Sequence, residues 1–107
     1  MAVRDRAFLA WAKEQGGQCC LCWRLTGDRR PAAELHHFGD KGMGQKGSDH
    51  LVARLCLTHH HEVQGKRRLA FLRGQVHGGG LEALAALQED ALELLSGWVA
   101  HLQRRTP

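Results

Sequence analysis

The sequence contains no long apolar run. None of its hydrophobic stretches approaches the ~20 residues that a membrane-spanning helix needs. The N-terminal stretch MAVRDRAFLAWAKEQ also lacks the apolar core of a signal peptide, because arginine and lysine punctuate it. These absences argue against a membrane protein and against a secreted one. They predict a cytoplasmic location with no membrane partner.

Cysteine is scarce, with four residues, Cys19, Cys20, Cys22 and Cys56. A cytoplasmic protein keeps its thiols reduced, so disulfides are not expected. Reduced cysteines at short, regular spacings are typical of metal sites. The composition therefore favours metal ligation as the role of these residues.

The chain is short and basic. Its 107 residues fit one domain, predicted over residues 1–107, whose single small core would benefit from a bound metal. Lysine and arginine number 15 against 11 acidic residues, and the excess lies entirely in the first 80 residues, which carry a net charge of +6. A basic, polar surface favours a polyanionic partner, nucleic acid first, although a generic soluble basic face explains the charge alone equally simply.

Hydrophobic periodicity and turn residues predict an α+β fold. An amphipathic helix is expected over Val3–Gln15, before Gly16 and Gly17. Two short strands, a further helix and a long C-terminal helix over residues 81–105 follow. The predicted segments are a cysteine knuckle and loop over Gln18–Arg30, strands over Glu34–Phe38 and Leu51–Leu55, and a helix capped by Thr58 and running through Gln64.

One apolar stripe marks the C-terminal helix. It consists of Leu84, Ala91, Leu95, Trp98 and Leu102, which recur at helical spacing. We expect this stripe to pack on the rest of the domain. A homodimer formed through the same helix is the alternative.

The cysteine spacing predicts a zinc site. Cys19 and Cys22 form a C-x-x-C pair, and Cys56 and His59 form a C-x-x-H pair, giving the Cys₃His set that tetrahedral structural zinc prefers. Such an ion would clamp the knuckle to the start of the third helix. Cys20 could replace Cys19, and four buried but unligated cysteines are the simpler alternative.

Six of the eight histidines lie between Leu35 and Glu62. Adjacent helical positions point ~100° apart, so His59 and His60 are placed to serve two different ions. Strand alternation would send His36 and His37 to opposite faces, so one shared site requires the backbone to curl after this pair. The neighbouring Gly39 favours such a curl.

This pattern resembles a known family. His36-His37, a glycine-rich loop, Asp49 and the run Leu55-Cys56-x-x-His59-His60-x-Glu62 are similar to the HNH (His-Me finger) endonucleases, which share a ββα-metal motif. The loop Gly42-Met43-Gly44-x-Lys46-x-Ser48-Asp49 further resembles small HNH proteins carried by phages and prophages. The resemblance covers about half of the chain, from Cys19 to Phe71.

The resemblance implies a ββα-metal core over residues 17–73 and a division of roles. His36 and His60 would hold a catalytic divalent ion, Mg²⁺ or Mn²⁺, with Zn²⁺ or Ni²⁺ as alternatives. His37 would be the general base in the hydrolysis of DNA phosphodiester bonds, steadied by Asp49 or His50. A phage recombination or packaging protein would be a further partner.

The residue types suit this chemistry independently. A neutral histidine removes a proton from water near neutral pH, and a carboxylate can fix its tautomer. A divalent ion stabilises the charge that grows on a leaving oxygen. Basic side chains would hold the flanking phosphates and make binding salt-dependent. The candidates are Lys41, Lys46, Arg54, Lys66, Arg67 and Arg68.

Two departures from the family pattern define the alternative. Gln64 stands where many relatives have a second helix histidine, and the usual asparagine is missing. A catalytically weak or inactive zinc-stabilised nucleic-acid-binding module is therefore the second hypothesis. A zinc hydrolase or deaminase acting on nucleotides fits less well, because His36-His37-Phe38 lacks the glutamate of the H-x-E motif.

Overall fold

A computed structural model describes residues 3–38, 48–63 and 80–105. These segments form a two-stranded sheet and four helices, so the predicted α+β class is confirmed. In chain order the elements are α1 (Arg6–Gln15), α2 (Cys20–Thr26), β1 (Glu34–His37), β2 (Val52–Leu55), α3 (Leu57–Val63) and α4 (Leu81–Arg105).

Helix α1 begins at Arg6, three residues later than the sequence pattern suggested. Asp5 is its N-cap, and the Asp5 carboxylate accepts a hydrogen bond from the backbone N–H of Phe8 at 3.0 Å. An aspartate at this position accepts a hydrogen bond from a first-turn N–H group that has no carbonyl partner within the helix. Residues 3–5 precede the helix, where Arg4 and Asp5 contact Asp49.

The predicted cysteine loop is partly helical. Helix α2 starts at Cys20, and Cys22 lies in its first turn, whereas the sequence led us to expect a knuckle and loop throughout. Leu21 and Leu25, four residues apart, both pack into the core, which explains why the segment coils. Gly27 ends the helix in a left-handed conformation, with φ of 76°.

The two strands form an antiparallel hairpin, each one residue shorter than predicted. The register pairs His36 with Ala53 and His37 with Val52. Ala53 belongs to a buried cluster with α2, α3 and α4, and Val52 to a second cluster with α1 and α4. Each strand therefore sends alternate side chains toward different layers of the protein.

Helix α3 begins at Leu57, one residue before the predicted cap at Thr58. The carbonyl of Cys56 accepts the backbone N–H of His60 at 2.9 Å, so Cys56 occupies the capping position. The sulfur of Cys56 is thereby held at the N-terminal end of the helix.

The predicted stripe of helix α4 packs on the domain in part, since Ala91 is buried and Leu95 and Trp98 pack against the core cluster of Phe8. The buried face of the helix consists of Ala83, Ala86, Leu87, Asp90, Ala91 and Leu94. Among the predicted residues, Ala91 is buried and Leu102 is exposed, while the other three are half-buried. Small alanines let the helix approach α2 and β2 closely, which a count of large apolar residues does not detect.

Apolar side chains also remain exposed on the outer face of α4, with Leu81 83% and Leu92 64% exposed. Dimer formation through this helix stays a prediction, which sedimentation would test. None of the helices in the described segments is long and apolar enough to cross a bilayer.

An ion pair joins β2 to α4. The Asp90 carboxylate accepts hydrogen bonds from the Arg54 backbone N–H at 2.8 Å and from its guanidinium Nη2 at 2.6 Å. The side chains are 14% exposed for Arg54 and 6% for Asp90, and Glu93 adds an exposed partner for Arg54. Asp90 thus satisfies an edge amide of the sheet and raises the pKa of Arg54 above its ordinary value.

Candidate functional site

Four predicted metal ligands converge at the junction of α2, β2 and α3. Cys19 precedes α2, Cys22 lies in its first turn, Cys56 caps α3, and His59 lies in the first turn of α3. Their ligand atoms all lie within 4.8 Å of one another, and Cys19 and Cys22 are buried. Cys20 lies outside this group, so Cys19 is the cysteine that the site uses.

The spacing of these atoms fits one tetrahedral ion. The Nδ1 atom of His59 is 3.4 Å from each of the sulfurs of Cys19, Cys22 and Cys56. The sulfurs of Cys22 and Cys56 are 3.8 Å apart. Tetrahedral zinc with Zn–S bonds of about 2.3 Å and a Zn–N bond of about 2.0 Å separates two sulfurs by about 3.8 Å, and sulfur from nitrogen by about 3.5 Å. The Cys₃His cluster therefore has the dimensions of a zinc site.

The Cys22 thiol lies in a buried setting. Burial and the neighbouring sulfurs of Cys19 and Cys56 raise the pKa of the Cys22 thiol to about 12. Zinc ligands must be thiolates, so ligation would displace the thiol protons.

The next residue, His60, turns away from the zinc cluster. Its ring centre is 5.1 Å from that of His36 on β1, at a steep angle of 70°. The Nδ1 atom of His60 is 3.3 Å from the Oε2 atom of Glu34. This distance is within the range of an ion pair when the His60 ring is protonated. Adjacent helix histidines thus serve two separate clusters.

His37 contacts Asp49, which follows the glycine-rich loop. The Nε2 atom of His37 is 3.0 Å from the Asp49 Oδ1 atom, and the Asp49 side chain is only 6% exposed. Burial raises the pKa of Asp49, but hydrogen bonds from the Asp5 amide, His37 and Arg4 outweigh it, so the pKa lies below its ordinary value. Asp49 is therefore ionised and accepts a hydrogen bond from the His37 Nε2–H group.

His50 makes a different contact. Its Nε2 atom is 2.9 Å from the Oδ2 atom of Asp5, and its ring meets Phe8 edge to face. The hydrogen bond with His50 is the main cause of the lowered pKa of Asp5. Of the two residues that could steady His37 by sequence, Asp49 is the one that touches it.

The curl expected at the end of β1, near Gly39, lies outside the described residues. The strand stays paired through His37, opposite Val52. Alternation therefore directs His36 toward α3 and His37 toward Asp49 and the α1 side. Since His37 is the last residue of β1, the two rings border one end of the hairpin from opposite faces.

The other predicted site residues fall into two groups. Lys41, Lys46, Lys66, Arg67 and Arg68 lie outside the described segments, as does Gln64. Arg54 is described, and its guanidinium is paired with Asp90 and Glu93. Its charge is balanced within the protein, which weakens it as a phosphate contact.

Sequence reasoning missed three residues of this region: Glu34, Arg4 and Asp5. Glu34 precedes His36 by two positions, so strand alternation places both on one face and could have suggested their association. Arg4 and Asp5 contact Asp49 from 45 and 44 residues away. No local signal in the sequence predicts that contact.

Comparisons with protein-family models, with curated proteins and with solved structures each found no match.

Proposed function

We propose that the protein is a metal-dependent HNH-type endonuclease that hydrolyses phosphodiester bonds in DNA, with His37 as the general base. The observation that carries this proposal is the 3.0 Å contact between His37 Nε2 and the Asp49 carboxylate. His37 directly follows His36, whose ring lies against that of His60. A histidine oriented by an ionised carboxylate is the usual arrangement of a general base.

The orientation of His37 defines its role. Its Nε2–H group donates to Asp49, so the lone pair resides on Nδ1. Nδ1 would take the proton from the attacking water while Asp49 stabilises the imidazolium that forms. The side chain of His37 is 17% exposed, which leaves an edge of the ring open to solvent.

The catalytic ion would be held by His36 and His60. Two imidazoles that bind one ion at about 2.0–2.1 Å through adjacent positions place their ring centres about 5 Å apart, which matches the observed 5.1 Å. Glu34, on Nδ1 of His60, is the kind of carboxylate partner that orients a metal-binding histidine. When bound, the ion supplies Lewis-acid stabilisation of the phosphate.

This second ion would have few protein ligands. Among the described residues, the only group of three or more metal-binding side chains within 4.8 Å is the Cys₃His cluster. An ion on His36 and His60 would rely on water and substrate oxygens, as Mg²⁺ and Mn²⁺ commonly do. Zn²⁺ and Ni²⁺ bind imidazole more tightly and are alternatives.

DNA as substrate rests on charge and on the family resemblance. The first 80 residues carry the basic excess, and the glycine-rich loop contributes Lys41 and Lys46. Binding is expected to weaken steeply with salt, because phosphate contacts release counterions. A phage recombination or packaging protein is proposed as a partner on the resemblance alone.

The small number of ligands on the second ion favours one competing function. A protein with the Cys₃His zinc site but no bound catalytic ion would bind nucleic acid without cutting it. The two hypotheses predict the same zinc content and the same affinity for DNA. They differ in cleavage alone.

A plasmid-nicking assay separates them. Zinc-loaded protein is incubated with supercoiled plasmid, with and without Mg²⁺ or Mn²⁺, and compared with the His37→Ala and His61→Ala variants. His61 is the exposed neighbour on α3 and controls for loss of an imidazole. We expect His37→Ala to slow nicking at least about 100-fold while DNA binding persists, since general bases contribute 10²–10⁴-fold. Wild-type protein that binds DNA but never nicks it would establish the binding module instead.

A paramagnetic titration tests whether His36 and His60 bind a divalent ion. Mn²⁺ held by these two residues should broaden the imidazole NMR signal of the neighbouring His37. Replacing both His36 and His60 by alanine should abolish this broadening. Broadening of His37 that persists in the double variant would contradict the proposed ion site.

A further inference from the structure

The Asp49 carboxylate is held by a segment far outside the histidine motif. The Asp5 backbone N–H donates to Asp49 Oδ2 at 2.7 Å, and Arg4 Nη1 donates to Oδ1 at 3.2 Å. The Asp49 amide in turn donates to the Val3 carbonyl at 2.9 Å, and the Val3 amide donates to Ser48 Oγ at 3.1 Å. Residues 3–5 and 48–49 are thus joined by four hydrogen bonds.

These bonds leave the carboxylate little freedom. Oδ2 is fixed by the Asp5 amide, while Oδ1 receives both Arg4 and His37. The side chain of Asp49 is buried, so water competes weakly for either oxygen. The plane of the carboxylate, and with it the direction of the His37 ring, is set from the N-terminal segment.

We propose that Arg4 and Asp5 are positioning residues for His37, acting through the Asp49 carboxylate. This inference rests on the proposed function for its kinetic consequence, but the geometry itself is independent of any activity. Asp5 joins the N-cap of α1 to this network, because its own carboxylate accepts from Phe8 and contacts His50. The orientation of His37 then depends on the packing of residues 3–5 against Asp49.

Arg4 offers the cleaner test, because the Asp5 contact to Asp49 uses a backbone amide that substitution leaves in place. The variants are Arg4→Ala, Arg4→Lys and, as a control, Arg6→Ala. Arg6 is an exposed arginine two residues away that makes no ion pair among the described residues. Lysine can replace the Arg4 contact with Asp49, since one guanidinium nitrogen, Nη1, makes it.

The kinetic expectation is a decrease in kcat without a change in KM. Loss of a partner that orients a site residue typically costs 10–100-fold, and we expect about 10-fold for Arg4→Ala because the Asp5 amide remains. Arg4→Lys should recover most of the rate, and Arg6→Ala should behave as wild type. A rise in KM at unchanged kcat would overturn the inference and make Arg4 a direct phosphate contact.

A second readout needs no activity. Imidazole nitrogen NMR of the zinc-loaded protein should show His37 as the Nε2–H tautomer, and Arg4→Ala should make the Nδ1–H tautomer detectable. An unchanged His37 tautomer in Arg4→Ala, together with kinetics equal to those of Arg6→Ala, would refute the positioning role. Failure of the nuclease proposal itself has a different signature, which is wild-type protein that binds DNA without nicking it, or nicking that survives His37→Ala.

Discussion

Removing the Asp90 carboxylate is expected to be the most damaging single change outside the zinc cluster. Asp90→Ala would leave the guanidinium of Arg54, 14% exposed, without its buried partner. It would also leave the Arg54 backbone N–H, now bonded to Asp90 at 2.8 Å, without an acceptor. Breaking a buried ion pair by removing one partner costs about 3–5 kcal/mol.

Two further variants divide that loss into its parts. Glu93→Ala removes an exposed contact to the same arginine and should cost less than about 1 kcal/mol. The double variant Arg54→Met with Asp90→Leu removes both charges and should recover about half of the loss. A loss of about 1–3 kcal/mol in the free energy of unfolding should remain, because the backbone N–H of residue 54 still lacks its acceptor.

Urea unfolding in saturating zinc measures these differences. With a slope of about 2 kcal/mol per molar urea, Asp90→Ala should lower the midpoint by about 2 M, and Glu93→Ala by less than about 0.5 M. The reasoning would be refuted if the two single variants unfolded at the same midpoint. It would also fail if the double variant were as unstable as Asp90→Ala, since burial of an unpaired charge would then not be the cause.

Three other outcomes follow from the structure. Purified protein should contain one zinc ion per chain by mass spectrometry under native conditions, and Cys56→Ser should lose it and unfold at a lower temperature. Gly97→Ala should destabilise the protein by about 1–3 kcal/mol in thermal unfolding despite its better helix propensity, because the new Cβ would lie 2.8 Å from the Trp11 ring; a stabilised variant would contradict this close packing. The pKa of Asp5 is lowered chiefly by its hydrogen bond with His50, so the carboxylate adds stability above about pH 4 that is lost as the pH falls. Asp5→Asn should therefore weaken the loss of stability below about pH 4. An unchanged pH dependence in this variant would exclude the contribution of Asp5.

The sequence predicted the parts of the fold that depend on the spacing of residues close together in the chain. The C-x-x-C and C-x-x-H pairs identified Cys19, Cys22, Cys56 and His59 as one cluster, because tetrahedral zinc imposes short intervals on its ligands. The hairpin was predicted from two short runs around a glycine-rich loop. The separation of His59 and His60 followed from helix geometry alone.

The parts that it missed depend on contacts between distant segments. Arg54 was expected on a DNA-binding surface, and only the fold brings Asp90 to it from 36 residues away. The buried face of α4 depends on alanines, whose small size is informative only once the neighbours are known. Arg4 belongs to no motif, and its contact with Asp49 exists because residues 3–5, before α1, lie beside Ser48 and Asp49.

The adjacency of His59 and His60 on α3 affects how chelator experiments should be interpreted. A strong chelator that strips the Cys₃His cluster would release α3 from the rest of the chain and displace His60 with it. Inhibition by EDTA would then report loss of architecture as readily as loss of a reactive cofactor. A weak chelator that spares thiolate-bound zinc, followed by add-back of single metals, would distinguish a structural ion on the Cys₃His cluster from the proposed catalytic ion.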